Sequence, residues 1–478
     1  MIDIARASRF VDQLWDADVV PALVDYIRIP AKSPAFDADW AANGHLETAT
    51  ALYEAWARKS LADVPGATVD VIRLEGRTPV IFIDIPGEAE GNILMYGHLD
   101  KQPEMTGWSE DMGPWIPVIR DDKLYGRGSA DDGYAMFGAI TAVLALREQG
   151  LPHARTAILI EACEESGSFD LPAYIEHLRS RIGQPDLFVV LDSGCGNYDQ
   201  LWVTTSLRGM VGGTLSVEVL REGVHSGDAS GVVPSSFRIL RQLLSRLEDA
   251  DTGRILVQEC WAEIPQQRVE QAHRAAAALG DDVWSKFPWV EGMQPVEMDG
   301  GELVLNRTWR PQLAMTGIDG APSIANAGNV LRPGTALKLS LRLPPALDAE
   351  KAAAKVKAVL EADPPYGARV SFDVKDASTG WNADVLAPWL EASLDRAGRA
   401  AFGAEPAFMG EGGSIPLITM LGEMFPTAQF VVTGVLGPHS NAHGPDEFLH
   451  LPTVKKVCTV IAAVLGDHAG QGAGWLAA

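Results

Sequence analysis

Continuous apolar runs with the length of a strand alternate with helical segments in the N-terminal part of the chain, and this alternation limits the fold more than any other feature. The strand-like runs are Val80–Ile85, Asn92–Tyr96, Thr156–Ile160 and Leu187–Leu191. Helical spacing of apolar residues follows over 134–149 and 171–181. Strands that are apolar on both sides are typical of a sheet covered on both faces. The sequence therefore predicts an α/β fold with a mixed, mostly parallel sheet and helices on both faces.

The pattern changes after residue 208. Apolar and polar residues alternate over 211–219 and 336–343, and amphipathic helical stretches cover 235–247 and 348–362. Such alternation is typical of an antiparallel sheet with one wet face and helices on the other. We therefore expect a small α+β domain, residues 207–379, inserted into the larger α/β domain of residues 1–206 and 380–478.

Charge and cysteine content narrow the possible partners and the compartment. Acidic residues outnumber basic ones 63 to 39, for a net charge of −24. Nucleic-acid binders and proteins of anionic membrane surfaces need a basic face, so neither partner is expected. No apolar stretch reaches the roughly 18 to 20 residues of a membrane span, and no secretory signal is visible. The four cysteines are far apart and form no Cys-x-x-Cys pair, which favours a cytoplasmic protein.

Histidine and carboxylate residues follow three of the predicted strands. His98 and Asp100 follow the second, Glu164 and Glu165 the third, and Asp192 the fourth. The carboxyl ends of such strands form the ligand crevice of an open α/β sheet, where clustered carboxylates repel one another unless a cation neutralises them. Imidazole with carboxylate suits zinc, manganese or cobalt. A single strand-end aspartate is usually a turn or helix cap, so from these residues alone a metal site and ordinary capping remain about equally good explanations.

Seven short motifs in a fixed order give a more specific indication. They are YGHLDKQP (96–103), YGRGSADDG (125–133), EACEESGS (161–168), LDSG (191–194), VHSG (224–227), GEGGSIP (410–416) and AHGPDE (442–447). Together they resemble the carnosinase-type zinc dipeptidases, relatives of acetylornithine deacetylase, succinyl-diaminopimelate desuccinylase and glutamate carboxypeptidase. The resemblance spans nearly the whole chain. It implies a metal-dependent exopeptidase that hydrolyses dipeptides or similarly short peptides with a free C-terminal carboxylate.

The resemblance also implies a centre of two divalent ions, expected to be Zn²⁺, with Mn²⁺ or Co²⁺ as alternatives. His98 and Asp192 would hold one ion, Glu165 and His443 the other, and Asp131 would bridge the two. Two such ions share a bridging hydroxide and polarise the scissile carbonyl. The family further implies a cis peptide bond after Asp131.

Two carboxylates beside the ligands take other roles in the family. Asp100 would hydrogen-bond the imidazole of His98 from behind. Glu164 would be the general base, taking a proton from the attacking water and giving it to the leaving amine.

The inserted domain serves in this family as lid and dimer interface, which implies a homodimer. His225 would reach the active site of the partner subunit and donate to the developing oxyanion. Arg342 would bind the substrate carboxylate, and Asn329 sits near a substrate-binding lid position. Gly413 and Ser414 could offer backbone N–H groups to the same carboxylate if a helix starts there. The ordinary alternatives are a surface-loop histidine, an outward-facing strand charge and a glycine turn.

One departure from the family leaves substrate and metal preference open. Relatives usually continue Asp-Asp-Lys-Gly, whereas this chain has Gly133 and Tyr134 after the two aspartates, and Lys101 stands where a small or apolar residue is more common. An N-acyl-amino-acid deacylase with the same metal centre is the nearest alternative function. A relative that binds metal without catalysis is a more remote one.

Overall fold

The computed structural model describes residues 1–413 and 415–471, which divide into two compact units. The first unit contains the described residues of Met1–Thr204, Ala383–Met409 and Met420–Ala478, and the second those of Thr205–Asn382 and Gly410–Thr419. The sequence places 380–478 in one part of the α/β domain, whereas 410–419 group with the second unit. Gly410 lies so close to Ser206 that a Cβ would come within 2.3 Å of its hydroxyl oxygen. The roles assigned to the two domains remain predictions.

The helices include those that the apolar spacing predicts and several others. They are α1 Ile4–Leu14, α2 Val20–Ile27, α3 Trp40–Asn43, α4 His45–Ser60, α5 Ala135–Glu148, α6 Leu171–Ile182, α7 Ser226–Ala229, α8 Ser236–Leu244, α9 Gln266–Leu279, α10 Asp282–Ser285, α11 Gly300–Thr308, α12 Ala349–Glu361, α13 Pro388–Phe402, α14 Pro416–Met424 and α15 Leu451–Ala469. In the part of the chain that the structure describes, none of these helices is both long and apolar enough to cross a membrane.

The strands include the predicted ones and several shorter ones. They are β1 Thr68–Ile72, β2 Val80–Ile85, β3 Ala89–His98, β4 Val118–Arg120, β5 Lys123–Tyr125, β6 Ala154–Glu161, β7 Leu187–Val190, β8 Trp202–Leu207, β9 Gly209–Glu218, β10 Val224–His225, β11 Gln312–Asp319, β12 Val330–Leu331, β13 Gly334–Leu343, β14 Arg369–Ser378, β15 Trp381–Asn382, β16 Ala407–Glu411, β17 Gln429–Val432 and β18 Phe448–His450.

The first unit is built on a mixed sheet in the order β1-β2-β6-β3-β7-β17, followed by the start of β8. Its centre is parallel, since β3 pairs in parallel with β6 and β7, and β7 with β17. The flanking pairs, β1 with β2 and β2 with β6, are antiparallel. The predicted mixed α/β class is thus confirmed, with the parallel pairing confined to the centre. β7 is buried along its whole length, as expected for a strand covered on both faces.

Apolar residues recur at helical spacing from Ser8 to about Ile29, but the structure does not form one continuous helix there. A single π-helical turn, Trp15–Val19, separates α1 from α2. Pro21 lies in the first turn of α2 and has no backbone N–H, so the chain cannot continue its i to i−4 hydrogen bonds there. The wider turn keeps both Trp15 and Val19 buried in the core.

The second unit contains an antiparallel sheet in the order β11-β13-β9-β14. Burial alternates along β9 and β13, with the apolar side facing α8 and α12. This matches the alternation that predicts one covered face. Arg342 on β13 pairs across the sheet with Met210 on β9.

Candidate metal centre

The parallel strands at the centre of the first unit end at the same edge of the sheet, and the predicted ligands lie there. His98 is the last residue of β3, opposite Glu161 at the end of β6. Glu164 and Glu165 follow on a short 3₁₀ turn. Asp192 comes two residues after β7. The strand-end clustering predicted from the sequence is therefore present.

The five predicted ligands converge around Asp131. His98 Nε2 lies 3.3 Å from Asp131 Oδ1 and 3.8 Å from Asp192 Oδ2. His443 Nε2 lies 3.0 Å from the other Asp131 oxygen, Oδ2, and 3.4 Å from Glu165 Oε2. Each oxygen of Asp131 thus faces a different imidazole, which is the arrangement that a bridging carboxylate needs.

Asp132 is a further carboxylate at the site that the sequence reasoning did not single out. The peptide bond between Asp131 and Asp132 is cis, as the family resemblance implies. The Asp132 carboxylate lies with His98 and Asp192 so that their ligand atoms are all within 4.8 Å of one another, and its Oδ2 accepts a hydrogen bond from the His98 backbone N–H at 3.3 Å. The sequence signal was its position directly after Asp131.

These donors fit divalent metal ions. Glu165 Oε1 is buried, and among the described residues it has no hydrogen-bond partner. Buried polar atoms are otherwise almost always paired, so this atom points to a ligand of another kind. Ligand atoms of His98, Asp131 and Glu165 also lie within 4.8 Å of one another. Nitrogen and carboxylate oxygen, without thiolate, suit zinc, manganese or cobalt.

Protonation in the absence of an ion shows the electrostatic load of the site. Burial raises the pKa of Glu165, and the neighbouring Asp131 raises it further. Burial and Asp192 likewise raise the pKa of Glu164. Burial would lower the pKa of His98, but the hydrogen bonds that its imidazole donates to Asp100 and Asp131 raise it well above its ordinary value. The crowded carboxylates at this site therefore favour a bound cation.

Asp100 connects the two ligand-bearing segments. Its Oδ1 accepts from the backbone N–H of Glu164 at 3.1 Å, and its Oδ2 from that of Glu165 at 3.0 Å. His98 Nδ1 lies 3.5 Å from Asp100 Oδ1 and 3.1 Å from its backbone oxygen. Asp100 therefore orients the glutamate turn as well as the imidazole, and only the second of these contacts was foreseen.

A buried ion pair supports the Asp131 and His443 loops. Arg127 and Glu447 have side chains that are 1% and 0% exposed, and Arg127 Nη1 donates to Glu447 Oε2 at 2.7 Å. Glu447 Oε1 accepts from the backbone N–H of Asp131 at 3.3 Å, while Arg127 Nη2 donates to the carbonyl of Gly444 at 2.7 Å. The pair thus holds the backbone of Asp131 itself and that of Gly444, the residue after His443. Sequence reasoning saw Glu447 only as part of the His443 motif.

The predicted residues of the inserted domain lie in the second unit. His225 is exposed, ends β10 and accepts at Nδ1 from the backbone N–H of Gly227 at 3.1 Å. Asn329 is also exposed, and its backbone oxygen accepts from the N–H of Ser226 at 2.9 Å. The antiparallel pairing of β10 with β12 therefore brings these two predicted residues together.

The other residues predicted to contact the substrate are Arg342, Gly413 and Ser414. Arg342 is half-buried on β13, and Gly413 is exposed. Ser414 lies outside the described residues. Helix α14 begins at Pro416.

Comparison with known proteins identifies the family. Residues 94–467 match the profile of Peptidase family M20/M25/M40. The chain is 27% identical over 382 residues to the Cysteinylglycine-S-conjugate dipeptidase of Corynebacterium striatum, covering 78% of this chain and 80% of the relative. It is 29% identical over 368 residues to the human Beta-Ala-His dipeptidase, covering 72% and 69%. The structure of human carnosine dipeptidase 1 superposes with a TM-score of 0.76 at 22% identity, covering 98% of this chain and 99% of that one. That last likeness shows a shared fold.

Proposed function

The chain belongs to peptidase family M20/M25/M40, and from this premise we propose that residues His98, Asp131, Glu165, Asp192 and His443 hold two divalent ions at which it hydrolyses dipeptides with a free C-terminal carboxylate. That the chain is a metallopeptidase of the dipeptidase type follows from its relatives. The observation that carries the residue assignment is Asp131, whose two oxygens face His98 and His443 at 3.3 and 3.0 Å.

Glu164 is the proposed general base. The ions, when bound, would polarise the scissile carbonyl and the attacking water. Glu164 lies beside the ligand Glu165 on the same 3₁₀ turn, and burial raises the pKa of its carboxyl group. A carboxylate with a raised pKa can accept a proton from water at neutral pH and pass it to the leaving amine.

Relatives named for Cys-Gly conjugates and β-Ala-His indicate the substrate class. Both names describe dipeptidases, and the deacylase alternative is not favoured. We place Arg342 on the substrate carboxylate and Asn329, Gly413 and Ser414 among the substrate contacts. The ions are proposed to be Zn²⁺. A cytoplasmic location is proposed because all four cysteines are buried free thiols, which suits a reducing compartment.

Metal reconstitution tests the proposal. The protein is stripped with a chelator, zinc, manganese or cobalt is restored separately, and free amino acids are followed by mass spectrometry. The substrate mixture contains dipeptides, tripeptides and N-acyl amino acids. We expect metal-dependent release from dipeptides. Cleavage of the N-acyl compounds alone would overturn the substrate class, and no cleavage with any metal would favour a non-catalytic relative.

The Glu164→Gln variant tests the role of general base separately from metal binding. Glutamine has nearly the shape of glutamate but cannot accept the proton, so turnover should fall by a factor of about 10² to 10⁴. Metal content, measured by atomic emission, should stay at two ions per chain. Glu165→Gln, one residue away, is the matched comparison and should lower metal content itself. An active Glu164→Gln variant would remove the general base from the proposal.

The proposed homodimer places His225 in the active site of the other subunit. His225→Ala should lower kcat by about 10² to 10³ with metal content unchanged, since one oxyanion donor is lost. Mixing this variant with Glu164→Gln should restore activity, because mixed dimers regain one intact site. Absence of rescue, with mixed dimers verified by mass, would place His225 in the site of its own chain.

A further inference from the structure

Lys101 is a fully buried cation one residue beyond Asp100. Its Nζ donates to three backbone carbonyls at the end of α2, those of Tyr26 at 2.9 Å, Ile27 at 3.3 Å and Ile29 at 2.8 Å. An ammonium group has three N–H donors, so these bonds use all of them. Nζ also lies 3.8 Å from the centroid of the Tyr26 ring. Burial lowers the pKa of Lys101, while the carbonyls of a helix C-terminus favour a cation.

These contacts fasten the end of α2 to the strand end that carries His98. The Tyr26 hydroxyl donates to the backbone oxygen of Leu99 at 2.9 Å, between His98 and Asp100. The backbone oxygen of Lys101 accepts from the N–H of Ser33 at 2.9 Å. The residues that precede and follow Asp100 are thus both held by the segment that ends α2.

The same side chains fill the space under the Asp131 loop. A Cβ on Gly128 would come within 2.9 Å of the Lys101 side chain. A Cβ on Gly133 would come within 2.3 Å of the Tyr26 ring. The chain therefore has no room for a side chain at 133, the position where the resembling family usually carries lysine, and a lysine from another segment lies under the same loop.

We propose that Lys101 is a positioning residue for the metal centre, setting the geometry of His98 and the Asp131 loop by clamping the end of α2 beneath them. The inference rests on the proposed metal site. Lys101 acts on the metal centre through Leu99, to which the Tyr26 hydroxyl donates, and through its packing under Gly128. Removing the ammonium group takes the side-chain donor away from three helix-end carbonyls, of which those of Tyr26 and Ile29 keep backbone donors at 3.0 and 2.8 Å. We expect the ligands above them to shift.

Cobalt spectroscopy tests this proposal without relying on turnover. Lys101→Met keeps the length of the side chain and removes its donors, and Lys101→Arg keeps the charge. Leu394→Ala, a buried change in α13, is the control for a general loss of stability. Each protein is loaded with Co²⁺, its visible absorption spectrum is recorded, and its Co²⁺ affinity is measured by competition with a chromogenic chelator.

We expect Lys101→Met to weaken Co²⁺ binding by about 10- to 100-fold and to change the spectrum, with partial recovery in Lys101→Arg. Leu394→Ala should lower the melting temperature with wild-type spectrum and affinity. If Lys101→Met has the wild-type spectrum and affinity, the positioning role of Lys101 is overturned and the proposed function is not affected. Absence of a Co²⁺ spectrum and of hydrolysis in the wild type would instead overturn the proposed function.

A second variant keeps the test decisive if the first one does not fold. If Lys101→Met does not fold, Lys101→Gln, which keeps two donors, takes its place under the same criteria. Failure of both variants to fold would assign Lys101 to the stability of the whole unit and overturn its positioning role.

Discussion

Replacing Glu447 with glutamine should strongly destabilise the first unit. Glu447 and Arg127 form an ion pair at 2.7 Å with almost no exposure. In Glu447→Gln the guanidinium stays charged and buried, and the glutamine NH₂ group faces N–H donors. Breaking a buried pair by removing one partner costs about 3 to 5 kcal/mol, and we expect a free energy loss in this range.

The loss of stability in the reverse change, Arg127→Met, should depend on pH, whereas the loss in Glu447→Gln should not. Burial already raises the pKa of Glu447, and Arg127 opposes that rise. Without the arginine, the Glu447 carboxyl group can take up a proton and become neutral, whereas a guanidinium that loses its partner stays charged. For each pH unit between the pKa of Glu447 in the unfolded chain and its pKa in the folded protein, the free energy of unfolding falls by about 1.4 kcal/mol. The loss in Arg127→Met should therefore be larger at pH 8 than at pH 6, by up to about 2.7 kcal/mol.

Urea unfolding of the chelator-treated proteins, followed by tryptophan fluorescence, measures both changes against the wild type at each pH. The double variant should lose less than the sum of the single variants, since neither charge is left unpaired. Glu405→Gln removes one of the two carboxylate partners of Arg399, in a pair that is 50% and 72% exposed, and it should leave stability unchanged. A Glu447→Gln loss below about 1 kcal/mol, or strictly additive single changes, would refute this reasoning.

Other expectations follow from the same site. Asp100→Asn, which keeps one of two acceptors, should weaken metal binding by about 10- to 100-fold in a chelator competition; Asp170→Asn, a buried carboxylate bonded to Thr78, should lower stability with metal affinity unchanged. Metal-free protein should melt at lower temperature as the pH rises from about 5 to 8. Burial raises the pKa of Glu165, so ionising this residue destabilises the folded protein. This cost is absent below the pKa of Glu165 in the unfolded chain and grows as the pH rises toward its pKa in the folded protein. A melting temperature that rises with pH or stays constant would contradict this. His443, whose pKa Asp131 raises, should release a proton on metal uptake, so calorimetric enthalpies should differ between buffers of different ionisation enthalpy, and equal enthalpies would count against it.

Local elements could be predicted from the sequence because each leaves its own periodic pattern. The strand predicted over Val80–Ile85 has those bounds in the structure, and α12 lies within the helix predicted for 348–362. The π-helical turn at Trp15–Val19 was missed, since a single turn does not change the apolar spacing around it.

The candidate ligands were also predictable, because motif residues and strand ends can be recognised without coordinates. Parallel strands place their carboxyl ends at one edge, so His98, Glu165 and Asp192 had to lie near one another once the sheet order was given. Their protonation had to await the structure, since burial and neighbouring charges determine it.

Only the tertiary structure revealed the supports of the site. Arg127 and Glu447 are 320 residues apart in sequence, and they meet because β5 pairs with β18. Lys101 reaches the end of α2 across about 70 residues of chain, and neither contact follows from a local pattern. The sequence by itself therefore determined the main strands and helices and the candidate ligands, which depend on near neighbours. The tertiary structure decided what holds those ligands in place, because buried charges must find their partners wherever the packing of distant segments brings them.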